Sequence, residues 1–293
     1  MLATGNVQLY QDPLHAGIND WQEMSKTHYA ISQDKTQVLH RLQTHYLPLY
    51  FPEIDHFRHS SRADWFFKFL HEFPTPGAIQ ALSREQFTEA AWDLVGRKVA
   101  KTRLLSDIYD TALSSTGLPI AESSAAVVMY RLVITQMRQL IKHRDEIEAH
   151  AQEKLGAHPD FIRLQQLPGI GPIHALTILA EAGDLRRFGH YRQFLKFCGL
   201  DLATHQSGQF RGQSKLSKYG NARLRRAFWM AGQIAIRQRE NSFRDKFQRY
   251  IARDRNNKDL RRKALTAVAA KMARVTYSVI KHETDYRPFY GVR

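Results

Sequence analysis

The chain has 293 residues, 43% of them hydrophobic, enough to build a core and to exclude wholesale disorder. It carries 43 Lys and Arg against 28 Asp and Glu, a formal charge of +15 and a pI near 10.0; this balance points to a polyanion, with nucleic acid ahead of an anionic membrane surface. No apolar run approaches the roughly 20 residues that span a bilayer, Met1–Asn6 lacks the features of a signal peptide, and the single Cys198 excludes both an internal disulfide and a cysteine-rich zinc module.

In chain order, residues 1–18 form a short turn-rich stretch in which Val7–Tyr10 has strand character. Asn19 or Asp20 is positioned to cap a helix. Met24, Ile31, Val38, Leu42 and Tyr46 then recur at helical spacing from Trp21 to Tyr46, and Pro48 and Pro52 are expected to end that helix. An aromatic-rich helix is expected over Arg62–Phe73, and Ser83 with Gln86 makes a capping-box pattern that starts another towards Val95. A further helix is expected over Lys98–Leu113, completing a helical region at 19–120. A long helix from Ala121 to Leu155, within a segment 121–158, carries Val127, Ile134, Met137, Ile141 and Ile147 on its apolar side. A stripe through Val128 and Leu132 turns polar at Thr135, Gln139 and Lys142. It reads either as a coiled-coil arm or as a long core helix.

Residues 159–293 hold the informative motifs. Leu167-Pro168-Gly169-Ile170-Gly171-Pro172-Ile173 reads as helix, glycine hairpin, helix. Gly169 and Gly171 permit a sharp turn, and the free N–H groups of the second helix suit a phosphate. A plain packing turn is the alternative. His205 to Asn221 reads as a flexible basic loop entering a helix over Asn221–Arg239. Its serines include Ser207, and Arg211, Lys215, Lys218, Asn221 and Arg223 are candidate phosphate ligands. Serine next to such cations can attack phosphorus once it is activated; from composition alone, a phosphate-binding or solvent loop is the alternative. Phe243–Arg253 mixes aromatic and basic residues that suit a nucleic-acid backbone or simply a solvated face. Lys258–Lys281 reads as a basic amphipathic helix. The histidines show no zinc spacing, and the helical carboxylates Asp107, Asp110, Glu181 and Asp184 read as solvated or salt-bridged. Cys198 reads as a buried, inert thiol. The fold class is mainly α, a helical or coiled-coil region followed by a helix-hairpin-helix domain.

These motifs resemble the insertion-sequence transposases of the one-hundred-and-ten family, in its eleven-eleven branch. The resemblance is carried by Leu167–Pro172 through Ala180–Asp184, by Phe197–Leu200, by Gln206–Gly208, by Ser217–Asn221 with Leu224–Arg226, and by Pro48–Glu53. It implies a serine transposase whose full-length form has a RuvC-like domain with four acidic residues holding magnesium. A coiled-coil region and a transposase domain follow, and the catalytic serine falls on Ser207. It also implies a structured guide RNA, DNA as substrate and a dimer or tetramer, in the cytoplasm and away from membranes. Leu2–Gly5 matches the family just beyond those acidic residues, so the chain is expected to lack the metal domain and to hold no cofactor itself. A non-catalytic DNA- or RNA-binding protein, or an unrelated glycine-hairpin repair accessory protein, are the competing expectations.

Overall fold

The computed structural model describes residues 18–58, 64–96, 100–207 and 210–287, with the backbone alone for 18, 203–207 and 210–215. The strand expected at Val7–Tyr10 and the motif residue Gly208 lie outside the described residues. The chain divides into two compact units, Thr27–Ile147 and Glu148–Arg293 with the start of the chain up to Lys26, so the boundaries fall inside two helices. The fold is mainly α, as expected.

The first unit begins in α1 (Ile18–Arg41). Pro48 does not end the helical path. The backbone widens into a π-turn at Leu42–Tyr46, with Leu47 N–H reaching the Leu42 carbonyl, and Pro48 sits in the first turn of α2 (Leu47–Tyr50). There its missing N–H costs nothing. A 3-10 turn (Pro52–Phe57), α3 (Asp64–Glu72), α4 (Pro76–Gln80), α5 (Arg84–Ala91) and α6 (Lys101–Leu113) follow. Ser83 forms the expected capping box with Gln86 at the start of α5. The long α7 (Ala125–Leu155) starts one turn later than expected. Its Tyr130, Ile134 and Met137 are buried in a core with Phe51, Phe66, Phe69 and Phe87; Val127 is also buried, while Val128 and Leu132 are exposed. Within this unit it therefore packs as a core helix. Tyr130 stacks on Tyr46 at 4.9 Å.

The second unit contains α8 (Pro159–Gln165), α9 (Pro172–Ala182), a 3-10 turn (Leu185–Arg187) and α10 (Tyr191–Phe197). Then come strands β1 (Leu202–Ser207) and β2 (Phe210–Leu216), and helices α11 (Ala222–Ala235), α12 (Ser242–Ile251) and α13 (Lys258–Lys281). Helix α11 is shorter than the expected Asn221–Arg239. Ala227, Ala231 and Ala235 on α11 and Ala264, Ala269 and Ala273 on α13 are buried, and these small side chains let the two helices approach closely. Phe194, Phe228, Phe243 and Met272 fill the space around them. Trp21 of α1 meets His158 edge-on at 5.3 Å, and Ser25 donates to Thr177 Oγ1, so the first turns of α1 dock on this core.

Candidate nucleic-acid interface and its serine

The segment that reads as a flexible loop folds as an antiparallel hairpin. Leu202 pairs with Leu216, Thr204 with Ser214, Gln206 with Arg211, and Ser207 with Phe210. The register slips between Thr204 and Gln206, a bulge of the kind that sharpens local twist. Ser207 is thus the last paired residue of β1, about 17 Å along the strand from Leu202. Arg211 is paired one step back from it, and Lys215 lies opposite Ala203 towards the base.

The base of the hairpin is tied to the core. Ser217 N–H donates to the Asp201 carbonyl at 2.9 Å, and Asn221 N–H to the Phe197 carbonyl at 2.7 Å. Gly220 sits at φ 133°, and a Cβ there would lie 2.5 Å from the Phe197 carbonyl oxygen, so only glycine fits. The Lys218 carbonyl accepts from Arg225 Nη1 at 3.0 Å, and the Lys218 side chain is exposed. The Ser217 hydroxyl is buried without a hydrogen-bond partner among the described residues, which removes it as an accessible nucleophile.

Asn221 and Arg223 are occupied by structural bonds. Asn221 Oδ1 accepts from Arg223 N–H and Leu224 N–H at 2.9 and 3.0 Å, capping α11. Its Nδ2 donates to Glu181 Oε2 at 2.7 Å, and Arg223 Nη1 donates to Glu181 Oε1 at 2.9 Å. The Glu181 side chain is 13% exposed. A carboxylate at the end of α9 therefore fixes the entry to α11. The sequence singles out Asn221 and Arg223 without linking them to Glu181, because about forty residues separate them. A phosphate at Asn221 and Arg223 has to compete with that carboxylate.

The two glycines of the turn between α8 and α9 differ. Gly169 is buried at φ 87°, and a Cβ on it would stand 2.1 Å from the Ala231 carbonyl oxygen of α11. Its role in this fold is close packing against α11. Gly171 precedes α9 without a side-chain cap, and nothing lies within 4 Å of where its Cβ would be, so this side of the turn is open to a ligand. Nearby, Asp160 accepts from Arg186 at 2.7 and 3.0 Å and from Arg163 at 3.1 Å. Burial alone raises the carboxyl, but these guanidinium bonds outweigh it and hold it below its ordinary value.

The hairpin thus places Ser207 and Arg211 on adjacent rungs at one end and holds Lys218, Asn221 and Arg223 beyond the other. Cys198 is buried, and burial pushes its thiol well up against the pull of Arg225. Asp110 pairs with Arg84, and Asp107 lies 3.9 Å from Arg103. Among the described residues no three His, Cys, Asp or Glu side chains gather where a metal ion could be held, and no helix is long and apolar enough to cross a membrane.

Residues 162–248, which span the glycine turn, the hairpin and α11, match the family model described as transposase IS116/IS110/IS902 family. The chain is 28% identical over 177 residues to the transposase for insertion sequence element IS1111A of Coxiella burnetii, covering 58% of this chain and 48% of that protein. It is 27% identical over 191 residues to a probable family 20 transposase of Pseudomonas aeruginosa, covering 65% and 54%. It is 23% identical over 235 residues to an uncharacterized 43.6 kDa protein of insertion element IS110 from Streptomyces coelicolor, covering 80% and 54%. The chain spans about half the length of these curated relatives.

Proposed function

We propose, from the match of residues 162–248 to the insertion-sequence transposase family, that this chain acts in DNA transposition and that the Ser207 hydroxyl is its nucleophile. The observation that carries the reading is the position of Ser207 as the last paired residue of a basic hairpin. In the reaction the Ser207 oxygen forms a bond to phosphorus and one deoxyribose P–O bond breaks. The serine proton passes to a base, and the leaving deoxyribose oxygen takes up a proton. The phosphodiester energy is kept in the serine–phosphate link, so a strand hydroxyl can reverse the step on a new partner. Negative charge builds on the phosphate oxygens, and Arg211, one rung from Ser207, is a candidate to neutralise it.

DNA is the substrate in this reading, with a structured guide RNA and further copies of the chain as partners in the cytoplasm. The magnesium implied by the family has no ligand set among the described residues, and no step is assigned to it. A second reading, nucleic-acid binding without chemistry, draws support from the open side of the turn at Gly171 and from the exposed Lys218.

The test is a denaturing search for a covalent protein–DNA adduct, with the linked residue identified by mass spectrometry. The wild type is expected to form an adduct at Ser207, and Ser207→Ala to lose it while binding DNA as before. An adduct undiminished by that substitution, or mapped to Ser214, ends the assignment. Binding without any adduct from the wild type favours the second reading. Affinity is expected to fall steeply with salt, with a log–log slope of about −0.9 per phosphate neutralised. A salt-independent affinity removes the electrostatic basis of both readings.

A further inference from the structure

The second unit also holds an open cleft of about 980 Å³ between α12, α13 and the turn at Gly189–Tyr191. Phe243, Phe247 and Ile251 bury one face of α12 in the core. The other face turns Lys246, Arg249 and Tyr250 towards the cleft, and α13 contributes Lys271 and Arg274 at helical spacing. Among the described residues no carboxylate lines it.

The cations are crowded. Lys246, Arg249, Lys271 and Arg274 make no ion pair with a carboxylate among the described residues. Lys271 donates to the Ser242 carbonyl at 2.7 Å and lies over the Phe243 ring at 5.4 Å. Burial lowers the Lys246 ammonium below its ordinary value, and Arg274 and Arg249 lower it further. Lys271 is lowered by burial and by Lys246, Arg249 and Arg274, against Asp245. Holding like charges this close costs folding free energy that an anionic ligand would recover.

The aromatic groups narrow the anion. Tyr250 is 45% exposed, and Tyr191 lies beneath Arg274 at 6.0 Å. A duplex offers a convex ridge of phosphates with its base faces stacked away. A single strand presents phosphates and ring faces together, and can enter a concave site.

We propose that this cleft holds a stretch of single-stranded nucleic acid, with its phosphates on Lys246, Arg249, Lys271 and Arg274 and a base stacked on Tyr250. The inference rests on nucleic acid being the partner of this chain, as in the proposed function, and names a second binding region built from α12 and α13.

Fluorescence anisotropy on the full chain tests it, with labelled oligothymidylate and oligouridylate of about twelve nucleotides and a duplex of the same length. Lys246→Gln with Arg274→Gln is expected to weaken single-strand binding about tenfold or more. It should flatten the log–log salt slope by about 1.4, which is about 0.7 for each of the two phosphates no longer neutralised. Duplex affinity should change less than twofold. Tyr250→Ala is expected to weaken single-strand binding by about fivefold or more, as removal of a stacking ring does, with the salt slope unchanged. It tests the cleft separately should the double variant fold poorly, and circular dichroism melting checks each protein. Single-strand affinity unchanged in these variants, or an equal loss on duplex, overturns the proposal. So does competition by free thymidine monophosphate at the concentration at which the oligonucleotide binds, because that marks a small-anion site. An adduct at Ser207 together with an unaffected cleft sinks this inference alone. Failure of the wild type to bind any nucleic acid sinks both.

Discussion

The two units use charge in opposite ways. Residues 27–147 hold 14 Lys and Arg against 13 Asp and Glu, whereas residues 148–293 hold 28 against 12. In the first unit most ion pairs join one cation to one carboxylate, among them Arg58 with Asp55, Arg84 with Asp110 and Arg131 with Glu122, while Asp64 holds both Lys68 and Arg138. In the second, single carboxylates anchor several donors. Asp160 binds Arg163 and Arg186, and Glu181 binds Arg223 and Asn221. Lys246, Arg249, Lys271 and Arg274 line the cleft. Glycine follows the same split, with 3 in residues 27–147 and 11 in residues 148–293. The two mainly helical units therefore differ: the first nearly balances its charges, whereas residues 148–293 carry a large excess of cations around a few acids that each hold several donors.

Substitutions can break or sharpen that contrast. The largest effect is expected at Gly169, where packing tolerates no Cβ. Gly169→Ala should cost about 3 kcal/mol or more, read as a lower urea midpoint, and a midpoint close to wild type would show that the turn stands clear of α11. Next comes Asp160→Asn, expected to cost about 2 kcal/mol because it removes a carboxylate 10% exposed from Arg163 and from Arg186, which keeps Asp184 and Glu283. The folded Asp160 carboxyl sits below its ordinary value of 3.8, so its contribution is fully present above that pH. It is lost as the pH falls through the lowered folded value. The gap between wild type and Asp160→Asn should close in acid below about pH 4; a gap constant down to pH 2 would refute the ion-pair account. The smallest effect is expected in the first unit. Asp110→Asn removes an exposed pair with Arg84 and should leave the urea midpoint where it was. A clear drop there would mean that the paired charges of the first unit carry weight too.

Local signals are legible in the sequence. The capping box at Ser83 and Gln86, the start of α13 at Lys258, the apolar side of α7 and the buried Cys198 follow from neighbours within a turn or two. The family that the glycine turn, the hairpin and the start of α11 resemble is the one the family model and the relatives give. What escapes a reading of the residues depends on distant partners or on competing local forms. The hairpin reads as a loop because its strands are short, polar and rich in Ser and Gly. Pro48 reads as a stop because a π-turn that absorbs it leaves no mark in the residue pattern. Gly169 reads as a phosphate ligand because α11, which crowds it, lies about sixty residues on. The cleft stays hidden because Lys246 and Lys271 belong to different helices, each of which reads alone as an ordinary basic face.

The buried cysteine has a practical consequence. Its thiol is shielded and its conversion to thiolate suppressed, so a thiol-directed reagent should pass the native chain by. A cysteine placed at position 207 or 250 would then be the one reactive sulfur in the molecule. An oligonucleotide carrying an activated disulfide could be trapped there, and each strand would reveal its own address on the protein.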